Sequence, residues 1–171
     1  MTCPDCGYDN IPGADACEKC GQPLSQADLS ASEVERSIMS HPVSVLAMKS
    51  PVSVAPGDSV RSAMDVMLRQ KIGCVLVVDN QQLTGIFTER DVLNRISPEP
   101  GALDQPISAF MTPSPETLRT GDSIAFALHS MSVHGLRHLP VVDDAGTAVS
   151  IVSVRDLLRL LAVRFADIRA D

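Results

Sequence analysis

With 171 residues, 44% of them hydrophobic, the chain is long enough to bury a core and is not disordered as a whole. A net charge of -7, no Trp, one Tyr and four Phe argue against a basic nucleic-acid-binding face and an aromatic platform for stacked bases. There is no apolar run of about eighteen residues and no signal-peptide pattern at MTCPDC, so a cytoplasmic protein without a membrane partner is expected, whose cysteines serve metal ligation rather than disulfides.

Residues 3–20 read CPDCGYDNIPGADACEKC. Cys3 and Cys6 form one C-x-x-C pair, Cys17 and Cys20 form another, and glycine follows each, at Gly7 and Gly21. Two thiolates three positions apart can grip one ion if the chain turns tightly between them, and a glycine behind them adopts φ > 0 without penalty. Two such knuckles facing each other give four soft sulfurs in a tetrahedron, which suits Zn²⁺. Residues 1–24 are too few to bury a core, so bound metal would supply most of their folding free energy. The segment resembles short zinc ribbons that open with CPxCG and close with CxxCG, with Pro23-Leu24 behind. That resemblance implies a protein docking module, a nucleic-acid binder or a simple cap. Iron competes, because CxxCGY also occurs in rubredoxins, but those space their knuckles further and pack several aromatics where this segment has Tyr8 alone. Asp5, Asp9, Asp15 and Glu18 against Lys19 oppose nucleic acid.

Residues 25–33, SQADLSASE, are small and polar and read as a tether, leading into a short helix through VERSIM. The linker is assigned to residues 25–37. From Val43 onward the chain repeats itself. Pro51 pairs with Pro115, Gly57-Asp58-Ser59 with Gly121-Asp122-Ser123, Met67 with Met131, and Val77-Val78-Asp79 with Val141-Val142-Asp143, all at one offset. One inserted residue later, Thr88 pairs with Ser153 and Asp91 with Asp156. The copies are bounded as residues 38–100 and 101–171.

Each copy opens with an extended piece, 51–54 or 115–118. A helix capped by Ser59 or Asp58 then runs through VRSAMDVMLRQK, with Val60, Ala63, Met64 and Met67 on one face and Gly73 as its stop. Its counterpart, IAFALHSMSVH, stops at Gly135. Strands follow at 74–79 and 138–143, polar turns at DNQQ and DDAG, and second strands through LTGIFT and TAVSIVS. Closing helices are ERDVLNRI and VRDLLRLLAVRFADIR, in which Arg155, Arg159, Arg164 and Arg169 form a solvated face and Leu157, Leu158, Leu161 and Phe165 pack inward or against a second subunit. Strand, helix, two strands and helix cannot cover both faces of a sheet alone, so two copies should pack sheet against sheet as one α+β globule with approximate two-fold symmetry.

GIFTERDVL at 85–93, IVSVRDLLRLL at 151–161, RHLPVVDDAG at 137–146 and MKSPVSVAPGDSV at 48–60 resemble a tandem pair of CBS domains (a Bateman module) over residues 38–168. The family fingerprint G-x-x-[ST]-x-x-[DN] is met by Gly85, Thr88 and Asp91. Ser153 and Asp156 meet it in the second copy, where Ser150 replaces glycine. The resemblance implies an adenosine ligand (AMP, ADP, ATP or S-adenosylmethionine) in clefts between the repeats. Asp91 or Asp156 would accept the ribose diol, Thr88 or Ser153 would face a phosphate, and Arg90 or Arg155 would add charge. Adenine would lie near Ser53 and Cys74 in one copy and near Thr117 and His138 in the other. A side chain at Ser150 crowds a phosphate, so if one cleft alone is occupied it should be that of Thr88 and Asp91. A homodimer formed through the helices is also implied.

Read on their own terms, Cys74 is a small core residue rather than a redox thiol, His134 and His138 share no metal, and Met64, Met67 and Met131 are helix core. No nucleophile–base pair, phosphate-binding glycine loop or open metal position marks an enzyme. The expected function is a non-enzymatic adenine-nucleotide sensor with the ribbon as docking or output head for a protein partner. The alternatives are a ligand-free dimerisation module and nucleic-acid binding by the ribbon.

Overall fold

The structure, a computed structural model, describes residues 2, 3, 5–11, 14, 16–22, 24, 38–46, 48–99 and 101–168, with 164–168 described by backbone alone. The linker expected over 25–37, together with Asp15, Pro23, Arg169 and the side chains of Arg164 and Phe165, lies outside the described residues. Two units are formed, one of Met1–Met48, Leu118–Leu139 and Val152–Asp171, the other of Lys49–Thr117 and Pro140–Ile151.

The second of these units holds most of the first repeat. Its elements are β1 (Ser53–Val54), α1 (Val60–Gln70), β2 (Cys74–Asp79), β3 (Gln82–Thr88), α2 (Glu89–Asp91), which continues as a π-helical turn over Val92–Ile96, and β4 (Thr112–Pro113). The sheet order is β1-β2-β3-β4, with β1 parallel to β2 and the other pairs antiparallel. The parallel pair requires a crossover, which α1 provides. The predicted stripe is buried at Val60, Ala63 and Met67, packed with Val75, Val77 and Phe87. Cys74, Leu76 and Ile86 point to the opposite face, where Ala148 and Ile151 cover them. Burial on both faces explains why CVLVV is an unbroken apolar run rather than an alternating one.

The stop of α1 differs from expectation. Lys71, not Gly73, takes the left-handed conformation (φ 55°), and Ile72 N–H closes the end on Met67 O at 3.0 Å. Gly135 (φ 61°) does the same work in the other copy, where Leu136 N–H reaches Met131 O at 2.9 Å. Strand β4 was not anticipated, because a two-residue segment containing proline carries little strand signal.

The first unit contains the cysteine segment, a 3-10 turn at Val43–Val45, β5 (Leu118–Arg119), α3 (Ile124–Val133) and α4 (Val154–Ile168). Strand β5 is the edge of a three-stranded sheet, order β5-β6-β7, with β6 (His138–Val142) and β7 (Ala148–Ser153). Ser123 caps α3 by accepting from Phe126 N–H at 3.0 Å, as Ser59 caps α1 by accepting from Ser62 N–H at 3.2 Å.

Leading segments are exchanged between the copies. Val43 N–H donates to Asp122 O (2.7 Å) and Ile124 N–H to His41 O (2.8 Å). In the other unit Ile107 N–H donates to Asp58 O (2.8 Å) and Val60 N–H to Gln105 O (3.0 Å). The stretch preceding each repeat therefore closes the helix start of the other. The duplication extends back to Pro42-Val43-Ser44 and Pro106-Ile107-Ser108.

Candidate functional sites

The two cysteine knuckles are built alike. Gly7 N–H donates to Cys3 O at 3.0 Å and Cys3 N–H to Tyr8 O at 2.8 Å; Gly21 N–H donates to Cys17 O at 2.8 Å and Cys17 N–H to Gln22 O at 2.7 Å. Gly7 and Gly21 adopt φ 69° and 73°, as the spacing predicted. All four Sγ atoms lie within 4.8 Å of one another, with Cys3–Cys20 at 3.7 Å and Cys6–Cys17 at 3.6 Å. Four sulfurs around Zn²⁺ at about 2.3 Å would stand about 3.8 Å apart, a separation that the Cys3–Cys20 and Cys6–Cys17 pairs already have. Disulfides, with sulfurs about 2.05 Å apart, do not describe it.

Burial pushes the Cys6 and Cys20 thiols up. At Cys17 burial acts the same way, but N–H groups of Cys20 and Lys19 and the Asn10 amide bring the thiol down to about 6. Buried Asn10 also stitches the knuckles together, donating to Tyr8 O at 3.0 Å and to Cys17 Sγ at 3.5 Å while accepting from Glu18 N–H at 2.9 Å. Leu24 packs on Cys3 and Cys17. The cysteine segment rests on α3 and its cap: Ser123 Oγ donates to Asp5 O, and His129 Nε2 donates to Cys20 O at 2.8 Å. Burial pushes the Asp5 carboxyl up, and His129 beside it pulls in the opposite sense.

The second candidate site is a corner that occurs twice. Thr88 N–H and Oγ1 donate to Asp91 Oδ2 at 2.9 and 2.7 Å, and Asp91 N–H donates back to Thr88 Oγ1 at 3.4 Å. Ser153 N–H donates to Asp156 Oδ2 at 3.1 Å, Ser153 Oγ reaches the same oxygen, and Asp156 N–H donates to Ser153 Oγ at 3.3 Å. Both are reciprocal capping boxes at a strand-to-helix junction. Behind them Glu89 N–H donates to Gly73 O and Val154 N–H to Arg137 O, each at 3.0 Å.

Around the first corner, Cys74 pairs with Thr88 across the β2–β3 ladder, and Ser53 is exposed on β1 beside Leu76. Burial, with Glu89 adding to it, pushes the Cys74 thiol up to about 12, which suits a core residue rather than a nucleophile. Arg90 is exposed in the first helical turn. Asp91 is buried, and among the described residues the partners of its Oδ1, Arg95 Nε and Thr112 Oγ1, are long, both at 3.5 Å. Arg95 also donates from Nη1 to Phe110 O (2.8 Å) and Met111 O (2.7 Å), tying the corner to the segment that enters β4. Neither Arg95 nor Thr112 was singled out in the sequence. The i, i+4 spacing of Asp91 and Arg95 was the one available signal.

Around the second corner the predicted residues divide. Ser153, Arg155, Asp156 and His138 belong to one unit and Thr117 to the other. Arg155 is exposed and His138 is the first residue of β6. Ser150 is fully buried, and its hydroxyl donates to Lys49 O at 3.0 Å. On the closing helix Leu157 is buried, whereas Leu158 is exposed.

Among the described residues no helix is long and apolar enough to cross a membrane. An uncharacterized 17.7 kDa protein of Acidianus ambivalens is 32% identical over 124 residues, 72% of this chain and 74% of that protein. Arabinose 5-phosphate isomerase KdsD of Francisella tularensis is 31% identical over 107 residues, which are 63% of this chain but 33% of that enzyme. Among solved structures, the CBS domain pair of protein MJ0100, in complex with 5′-methylthioadenosine and S-adenosyl-L-methionine, is similar with a TM-score of 0.65 at 25% identity, covering 72% of this chain and 97% of that one. The family model for the CBS domain matches twice, over residues 34–98 and 107–163, in register with the doubled corner. The chain belongs to the CBS domain family and carries two CBS domains in tandem.

Proposed function

We propose that the chain is a non-enzymatic regulatory module that senses an adenosine-containing ligand, AMP, ADP, ATP or S-adenosylmethionine, and that its ribbon, Cys3, Cys6, Cys17 and Cys20, holds Zn²⁺ and passes the bound state to a protein partner. The working division is ribbon 1–24, linker 25–37 and repeats 38–100 and 101–171. The observation that carries the reading is the doubled corner, Thr88 with Asp91 and Ser153 with Asp156, built by the same hydrogen bonds. Asp91 Oδ2 serves the cap, while Oδ1, with partners among the described residues only at 3.5 Å, is the oxygen a ribose diol would take. Each charge-assisted hydrogen bond so formed is worth about 1.5–3 kcal/mol. The ligands of the MJ0100 pair, both adenosine derivatives, support the class. Binding would shift the arrangement of the chain only by its differential affinity for two states. Exposed Leu68, Leu93 and Leu158 offer apolar surface for the expected homodimer.

Calorimetric titration with the four ligands tests the reading. Binding is expected for at least one, with Asp91→Ala weakening it tenfold or more by the magnitude above. No binding to any of them at millimolar concentration would refute it. The competing reading, a ligand-free dimerisation module, is favoured by the caps themselves, which already engage one oxygen of each carboxylate locally. A stable dimer whose melting temperature responds to none of the four ligands would establish that alternative.

A further inference from the structure

Among the described residues, two side-chain hydrogen bonds join the ribbon to α3 and its N-cap, and each engages a different knuckle. Ser123 Oγ donates to the carbonyl of Asp5, which lies between Cys3 and Cys6. The same oxygen accepts from Phe126 N–H, so its donor and acceptor roles are both used. His129 Nε2 lies 2.8 Å from the carbonyl of Cys20, and because a carbonyl only accepts, Nε2 carries the proton. Six residues along a helix advance about 9 Å, so α3 presents two donors at a fixed separation. Both carbonyls are within reach of those donors with the knuckles facing each other, the arrangement that four sulfurs around one ion would hold.

The first repeat has no such pair. Ser59 occupies the position of Ser123, but exposed Asp65 stands where His129 does, and a carboxylate cannot donate to a carbonyl. One helix of the duplication is therefore equipped to receive the ribbon, and the other is not.

We infer that the ribbon is a clamp acting in cis on α3, so that metal binding by its four cysteines and the local stability of residues 124–133 are linked through Ser123 and His129. The inference rests on the reading of the cysteine cluster as a zinc site. Whatever α3 contributes to holding the knuckles together strengthens metal binding, and by reciprocity the bound metal stabilises α3 by the same factor. The ribbon thereby reports metal supply to the second CBS repeat.

The test uses the full chain. Zinc affinity is measured by competition with a chromophoric chelator for the wild type, His129→Ala, His129→Gln and the control Asp65→Ala. Amide exchange over residues 124–133 is followed in the zinc-loaded and zinc-free wild type. His129→Ala should bind zinc about fivefold more weakly, as expected for one lost hydrogen bond. His129→Gln, which retains an N–H donor, should recover most of that loss, and Asp65→Ala should leave affinity unchanged. Exchange over α3 should quicken when zinc is removed. Unaltered zinc affinity in His129→Ala together with metal-independent exchange would overturn the linkage alone. A wild type that binds no zinc would overturn the metal reading, and the linkage with it. Should His129→Ala fail to fold, the His129→Gln affinity and the wild-type exchange data decide.

Discussion

A Cβ atom placed on Gly85 would lie 2.3 Å from Met111 Sδ and 3.1 Å from Thr112 O. The fingerprint glycine of the first corner thus lies tight against the Met111 side chain and the backbone of β4, whose Pro113 pairs with Gly85 across the ladder. Gly85→Ala should lower stability by about 1–3 kcal/mol, because Met111 must vacate its place and the Thr112 backbone must shift. Urea denaturation checks this. Met111→Ala in the same chain should return part of the loss, and full additivity of the two changes would contradict the contact.

Ser150 solves the equivalent position differently, spending its hydroxyl on Lys49 O in a fully buried setting. Ser150→Gly removes that bond and adds backbone freedom to the unfolded chain. It should destabilise by about 1–2 kcal/mol in the same denaturation experiment.

Lys71 holds a left-handed conformation at the end of α1, where the other copy uses Gly135. Lys71→Gly should therefore stabilise the chain by up to about 1 kcal/mol, read as a rise in melting temperature. An unchanged or lower melting temperature would show that the lysine carries a compensating interaction.

Cys74 gives a pH dependence. Its thiol would ionise near 9.0 in the unfolded chain but is pushed up to about 12 in the fold. Between those values the unfolded chain binds fewer protons, so stability falls as pH rises through the window. Cys74→Ala should flatten the decline of the urea midpoint between about pH 8 and about pH 10.5 relative to wild type.

The parts of this architecture that depend on neighbours in sequence were readable from residues alone. The knuckle glycines, the apolar stripe of Val60, Ala63 and Met67, and the hydroxyl-x-x-carboxylate corners all express spacings of two to seven residues. Lys71 was not readable, because its conformation is imposed by closure of the helix end rather than by any preference of lysine. The partnership of Asn10 with Cys17 and that of His129 with Cys20 escaped notice for a related reason. Nothing in the local pattern of either residue marks a distant carbonyl or thiol as its destination. Strand β4 likewise pairs with Gly85 and Ile86, a long-range partnership of which Thr112-Pro113 gives no local sign.

The exchanged leading segments have a consequence for synthesis. Helix α1 depends on Gln105 and Ile107 to close its start, so the first CBS domain remains open until residues beyond its own length have emerged. The partner for α3, His41 to Val43, has by then been waiting since early in translation. The duplication therefore does not close each domain within its own boundaries, although tandem domains usually fold as separate units. Completion of the first domain requires Gln105 and Ile107, which lie beyond its boundary, and completion of the second requires His41 and Val43, made long before it, so a chain cut between the two domains leaves a helix start open in each piece.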